Sequence, residues 1–298
     1  MEKNLLENIY YGGELDKLEE GTKWLKHYLR RSEPLFDGEA PNVDLDATSA
    51  FVREFFSKYY DGAFGGPITP GDAAFIMIFM SAIKPSLMME IGVASGISSA
   101  FILSCAEHLQ LTSAGTFLNS FDISKSHQPG FDVGQVLRTQ FRHLEPLWRL
   151  NTELTSLDIL MDRVAYMQPT TGPSMAFIDG GHEHPWPFID IFAMSKVLPH
   201  NSWILLQDTQ IMERWIADCI IHGSPAPRPV RGVNIALSHW PGSKIVGLDI
   251  CYNMAAIKLD VSAEAIATYC RAMLSYPYED TDLANNNIAA ELMSRFLD

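Results

Sequence analysis

The stretch Glu90-Ile-Gly92-Val-Ala94-Ser95-Gly96-Ile-Ser98 concentrates residues able to hold a ligand. Glycines at 92 and 96 remove Cβ atoms, so a ligand can lie against the backbone there. Amide groups at the start of a following helix, with the Ser98 hydroxyl, can hold polar ligand atoms. The G-x-x-x-G spacing is not the G-x-G-x-x-G of a dinucleotide pyrophosphate site. No lysine follows it as in a P-loop. An acid two residues before the first glycine suits a ligand with a cationic amino group and repels a phosphate. The plainer reading is a tight strand-to-helix turn that needs glycine for packing alone. Asp122 lies 30 residues beyond Gly92, at the end of a second apolar run. An acid in that place can accept both hydroxyls of a ribose, or it can simply cap the loop at Ser124.

Two further segments bring acids and a histidine to strand ends, Phe177-Ile-Asp179-Gly-Gly-His182-Glu-His184 and Leu205-Leu-Gln207-Asp208-Thr209. In an open α/β sheet the carboxyl ends of the strands border the ligand crevice, so Asp179, His182 and Asp208 are expected to converge. Two chemistries fit. His182, with Asp179 beside it, can act as a general base on a substrate hydroxyl, since histidine titrates close to neutral pH. Alternatively Asp179, Asp208 and Gln207 can offer oxygen ligands to Mg²⁺, which would acidify and position the hydroxyl. His184, in His-Pro-Trp, and His127, in Ser-His-Gln-Pro-Gly, are alternative bases. Loop capping by both acids is the plain structural reading.

The elements that must position these residues follow from periodicity. Leu87–Val93, Phe117–Ile123, Leu147–Asn151, Met175–Asp179 and Trp203–Gln207 read as five strands. Helices are expected over Ser98–Leu109, Val133–Leu144, Ser156–Val164, Trp186–Leu198 and Ile211–His222. Lys244–Ile250 and Met254–Leu259 form a final hairpin-like pair. Strands alternating with helices mean βαβ units and a parallel sheet covered on both faces. The fold class is therefore α/β, a Rossmann-like doubly wound, mostly parallel sheet with an antiparallel edge pair and an N-terminal helical cap. Residues 1–33 carry helical spacing, 34–48 read as a linker, and Ala50–Tyr60 as a helix. Thr69-Pro70 with Asp72 marks the start of the apolar helix Ala73–Ile83. The domain boundaries expected are 1–60 for cap and linker, 61–278 for the Rossmann-like domain, and 279–298 for an acidic helix or tail.

The chain has 298 residues, 47% hydrophobic and 19% charged, with a net charge of −14. That composition excludes a disordered or collagen-like chain. The negative field argues against nucleic acid or anionic membrane as the main partner. Residues 1–50 and 279–298 carry much of the negative charge and read as solvated surface. Four dispersed cysteines, Cys105, Cys219, Cys251 and Cys270, give neither a zinc spacing nor a disulfide ladder. The expectation is buried thiols in a cytoplasmic protein. No signal peptide or membrane-spanning run is read. A helical cap on a long linker can exchange between copies, which leaves a homo-oligomer open.

Glu90-x-Gly92-x-x-x-Gly96-x-Ser98, Asp122 and Asp179-Gly-Gly-His182, in that order, resemble the class I S-adenosylmethionine-dependent methyltransferases. The similarity is greatest to small-molecule O-methyltransferases with an E-I-G-x-x-x-G-x-S loop and a D-G-x-H strand four, and covers about Gly66 to Leu259. The resemblance implies S-adenosylmethionine as cofactor and a small hydroxylated acceptor, a sugar or secondary metabolite. It places Glu90, Gly92 and Ser98 around the methionine moiety, Asp122 on the ribose, Thr155 and Ser156 near the adenine, and Thr69 near the cofactor carboxylate. Ala94, Ser95, Gly96, Ile123 and Asp179 complete that set. Related enzymes with a metal site carry an acid where this chain has Gly181 and paired acids where it has Gln207-Asp208. Those two departures weaken the Mg²⁺ reading and leave room for a non-catalytic binding protein of the same fold. A nicotinamide-dependent oxidoreductase is disfavoured by the glycine spacing and by the lack of a Tyr-x-x-x-Lys pair.

Overall fold

The computed structural model describes residues 43–59, 68–112, 115–166, 172–209, 232–246, 253–275 and 291–297. The expected cap (1–33), most of the linker, the helix Ile211–His222 and the stretch 276–290 lie outside the described residues. The chain divides into two compact units. One comprises Met1–Glu153 with two short later pieces, and the other holds Leu154–Pro169, Ser174–Val246 and Asn253–Asp298.

The first unit opens with α1 (Leu45–Tyr59). This helix starts inside the stretch read as linker. Asp44 is the reason, because its Oδ1 accepts the Ala47 N–H at 3.0 Å. An acid here is a helix cap, not a loop signal. Phe55 packs edge-on against Phe101, with ring centroids 5.0 Å apart. Next comes α2 (Pro70–Ile83), capped by Thr69 with Pro70 in its first turn. Eleven of its fourteen residues are buried, so it is apolar all round rather than striped. Then follow β1 (Leu87–Ile91), α3 (Ile97–His108) and β2 (Leu118–Asp122).

A small antiparallel hairpin, β3 (Ser126–Gln128) with β4 (Phe131–Asp132), occupies the loop after β2. The helix expected over Val133–Leu144 divides into α4 (Gln135–Gln140) and a 3₁₀ turn (Arg142–Leu147) leading to β5 (Trp148–Thr152). Pro146 lies inside that turn and has no N–H to carry an α-helix onward. β1, β2 and β5 pair in parallel, with Glu90 opposite Ser120 and Asp122 opposite Thr152.

The second unit begins with α5 (Ser156–Met161) and α6 (Arg163–Tyr166), where one helix was expected. After them come β6 (Ser174–Ile178), α7 (Trp186–Val197) and β7 (Trp203–Gln207). Every residue of β6 and β7 is buried, and the two pair in parallel. A helix the periodicity missed, α8 (Gly232–His239), precedes β8 (Lys244–Val246) and β9 (Met254–Lys258). α9 (Ala263–Leu274) is capped by the Ser262 hydroxyl, and Tyr269 on it donates to the Ala236 carbonyl at 2.7 Å. Leu292 and Leu297, in the acid-rich terminal stretch, are buried. That end is therefore not wholly solvated surface.

The strand order is β5-β2-β1-β6-β7-β9-β8. Setting the small hairpin aside, this reads third, second, first, fourth, fifth, seventh, sixth. β9 runs antiparallel to both β7 and β8. The antiparallel strand is thus next to last, with β8 outside it. This is the doubly wound, mostly parallel α/β sheet with an antiparallel edge pair that the sequence predicts. Among the described residues no helix is long and apolar enough to cross a membrane. Cys105 and Cys270 are buried free thiols, while Cys219 and Cys251 lie outside the described residues.

Candidate active site

In the first unit the loop leaving β1 is a run of left-handed backbone. Gly92, Ala94 and Gly96 have φ of 86°, 48° and 90°. Left-handed backbone costs a residue with a Cβ about 1–2 kcal/mol, so something must hold Ala94 there. Asp122 does. Its Oδ2 accepts the N–H groups of Val93 and Ala94, each at 3.0 Å, and its Oδ1 accepts Ser124 N–H at 2.8 Å. Asp122 therefore caps the loop at Ser124, as the plain reading has it, and clamps the glycine loop as well. Ile123, next to it, keeps 64% of its surface exposed.

Glu90 is fully buried, and hydroxyls of Ser98, Ser99 and Ser120 donate to its carboxylate at 2.6 Å each. Burial raises its pKa, with the three serines opposing the rise. Glu90 and Ser98 are thus bonded to one another, tying β1, β2 and α3 together under the loop. Ser95 is buried, and its carbonyl accepts Val136 N–H at 3.0 Å. Gly134 N–H donates to Ala94 O at 2.9 Å. A Cβ on Gly96 would lie 2.7 Å from Gly134 Cα. The open face that the sequence reading gives Gly96 is therefore taken by Gly134, and glycine is needed there for packing. Thr69, also buried, spends its side chain on the α2 cap, accepting Asp72 N–H at 3.2 Å. His127 sits half-buried on the small hairpin, its ring 6.2 Å from that of Phe131.

In the second unit the ends of β6 and β7 bring Asp179, His182 and Asp208 together. One ligand atom from each lies within 4.8 Å of the others. His182 Nε2 is 3.0 Å from Asp208 Oδ2 and 3.9 Å from Asp179 Oδ1, and all three side chains are 18–25% exposed. Asp208 has a φ of 60°. Aspartate is among the residues that tolerate this region. Gln207 is buried at the end of β7, immediately before Asp208. Sequence reasoning missed Asn253, which is 2% exposed and whose Nδ2 donates to Asp208 Oδ1. Forty-five residues separate the two, and only the pairing of β9 with β7 brings them together.

His184 is buried against Phe188, ring centroids 5.7 Å apart, and burial pushes its pKa down to about 4. It is a neutral core histidine, and the His182 cluster does not include it. Thr155 starts α5, its N–H and hydroxyl both donating to Asp158 Oδ2 at 2.7 Å. Ser156 is buried and donates to Asp190 Oδ1.

Asp190 is 2% exposed, and burial pushes its pKa up to about 7, opposed by the Ser156 hydrogen bond. An acid whose folded pKa exceeds its unfolded value stabilises the fold less as pH rises from about 4 to 7, at up to roughly 1.4 kcal/mol per pH unit. Asp190→Asn keeps the acceptor for Ser156 and removes the titration. The variant is expected to gain on the wild type through that window, with the greatest advantage at pH 8, in melting curves run from pH 4 to 8. A stability difference that stays constant across those pH values would exclude a buried, protonated Asp190.

Residues 89–209 match the family model described as a methyltransferase domain. That span contains every candidate site residue named above except Thr69 and Asn253. Comparison with curated proteins finds no match. Among solved structures, an O-methyltransferase from Bacillus cereus, in complex with SAH, is similar at 15% identity and a TM-score of 0.46, over 70% of this chain and 90% of that one. The O-methyltransferase TomG from Streptomyces achromogenes, involved in tomaymycin synthesis and in complex with SAM, is similar at 14% identity and a TM-score of 0.42, over 78% and 98%. The assignment rests on the family match and the strand order, not on these two likenesses. Residues 89–209 therefore match a methyltransferase domain, carried on a doubly wound, mostly parallel sheet.

Proposed function

We propose that the protein transfers the methyl group of S-adenosylmethionine to a hydroxyl of a small molecule, a sugar or a secondary metabolite, with residues 61–278 as the catalytic domain. The observation that carries the acceptor chemistry is the 3.0 Å approach of His182 Nε2 to Asp208 Oδ2. A histidine oriented by a carboxylate is suited to take a proton from an attacking hydroxyl.

The cofactor supplies an electrophilic methyl group on its sulfonium. The residues of the first unit fit it. Asp122 clamps the loop amides and, with three of its about four acceptor sites taken, retains one for a ribose hydroxyl. The exposed Ile123 offers an apolar surface next to that acid, as an adenine base requires. Glu90 acts from beneath, fixing Ser98 and the start of α3. His182 receives the acceptor's proton, and Asp208 stabilises the imidazolium that forms. The acidic field of the chain leaves a neutral or cationic acceptor favoured over an anionic one.

Asp179, His182 and Asp208 also fit a divalent ion as a donor set, with two carboxylates and one imidazole. The nitrogen donor makes this set less suited to Mg²⁺ than an all-oxygen one. Bound there, such an ion would polarise the acceptor hydroxyl.

Titration calorimetry with S-adenosylmethionine, followed by transfer of a labelled methyl group to a panel of hydroxylated compounds, tests the proposal. Saturable binding and label in an ether product are expected. No binding at millimolar cofactor would end it. Activity that survives exhaustive chelation supports the His182 base, and activity lost to chelator and restored by a metal ion supports the ion.

A further inference from the structure

We propose that Asn253 is the positioning residue of the acceptor site, holding Asp208 so that His182 keeps its proton on Nε2 and offers Nδ1 as the basic nitrogen. This rests on the reading of His182 as the base.

The β7–β9 register places Gln207 opposite Met254, so the residue before β9 falls beside the residue after β7. Asn253 engages that corner twice. Its Nδ2 donates to Asp208 Oδ1, and its carbonyl accepts Thr209 N–H at 3.4 Å. A second strut comes from α8, where Asn234 Nδ2 donates to the Thr209 carbonyl at 3.2 Å. Asp208 itself is left-handed, with a φ of 60°. Aspartate tolerates that region better than most residues, but still at a cost, and these bonds fix it there.

The hydrogen-bond inventory then sets the proton. Only the amide nitrogen of an asparagine can donate, so the orientation of Asn253 is dictated by the carboxylate it meets. With Oδ1 so occupied, Oδ2 is the oxygen presented to His182 at 3.0 Å. An ionised carboxylate only accepts, so His182 Nε2 must carry the hydrogen, and the lone pair of the neutral ring lies on Nδ1. The other tautomer would put a lone pair against the carboxylate and leave none on Nδ1 to take a proton.

The test is Asn253→Leu in the full-length chain, a substitution of similar size without the amide. Nitrogen NMR of the labelled imidazole, recorded on metal-free protein with the ring neutral and assigned by the signal lost in His182→Gln, reports the tautomer without requiring turnover. The wild type is expected to show the Nε2–H form, and the leucine variant a mixture. With an acceptor in hand, kcat is expected to fall by about tenfold or more, as when an orienting partner is lost elsewhere, with KM and the cofactor Kd nearly unchanged. Asn253→Ser, a smaller change that keeps a donor, is expected to retain the wild-type tautomer. A leucine variant with an unaltered tautomer, a serine variant as scrambled as leucine, or a loss of kcat that only follows melting temperature would overturn the proposal. Failure of the wild type to methylate any hydroxyl would instead count against the proposed function, because the tautomer is read independently of it.

Discussion

His182→Ala is expected to lower kcat by about 10²-fold or more, the range for loss of a general base, while cofactor Kd and melting temperature stay near wild type. The local structure supports that separation of effects. The His182 side chain is a quarter exposed, so truncation opens no cavity in the core. Its backbone role survives truncation, because the His182 carbonyl, not the ring, accepts Gly232 N–H at 3.1 Å. His184→Ala provides the opposite pattern. That ring is buried and packed on Phe188, so its loss should appear as instability with the rate per folded molecule preserved. Because burial holds the His184 pKa down at about 4, the wild type should also lose stability relative to His184→Ala as pH falls through roughly 6.5 toward 4, where the unfolded chain takes up the proton first. Kinetics and melting curves on the two alanine variants check both halves. Full activity in His182→Ala, or a rate lost only in step with unfolding, would remove His182 from the chemistry.

That histidine contrast shows where the sequence is legible and where it is not. Alternation of strands with helices marks all five parallel strands, most clearly β1, β6 and β7, which are buried throughout as strands covered on both faces are. Trp203–Gln207 is read to the residue. Asp179, His182 and Asp208 are found because strand ends in this architecture border the crevice, and the carboxyl ends of β6 and β7 do bring them together. What sequence alone leaves undecided is which partner each polar atom takes. Glu90 reads as a ligand contact, yet three hydroxyls from α3 and β2 surround it. Asp44 reads as linker, yet it caps α1. Asn253 gives no local signal, since its role depends on a register set by a strand pairing 45 residues away in the chain. His182 and His184 differ by two positions and carry the same side chain. Only burial separates a candidate base from a core residue.

Gly134→Ala is expected to be the most destabilising small substitution in the first unit, although nothing in its local sequence marks it. A Cβ at Gly134 would come within 2.3 Å of Trp148 Cη2, and the backbone there has a φ of 74°. Overpacking costs about 1–3 kcal/mol and a left-handed residue with a Cβ about 1–2 kcal/mol, so the sum is about 2–5 kcal/mol. At roughly 2–4 °C per kcal/mol for a chain of this size, the melting temperature should fall by at least about 4 °C. The indole is poorly placed to yield. Its Nε1–H donates to Ser120 Oγ at 2.8 Å, and that hydroxyl donates to Glu90 Oε2 at 2.6 Å. Strain entering at Gly134 therefore reaches the buried acid beneath the Gly92–Gly96 loop. It also reaches the loop directly, because Gly134 and Val136 N–H groups bond the Ala94 and Ser95 carbonyls. Cofactor affinity should fall together with stability. Gly96→Ala, whose Cβ meets Gly134 Cα at 2.7 Å, should produce the same paired loss from the other side of the contact. Trp148→Phe removes the ring atoms that clash, so combining it with Gly134→Ala should cost less than the sum of the two single changes. A double-mutant cycle measures that coupling. Strict additivity would mean that the glycine is tolerating its backbone angle alone and that the stack of Gly96, Gly134 and Trp148 does not support the loop.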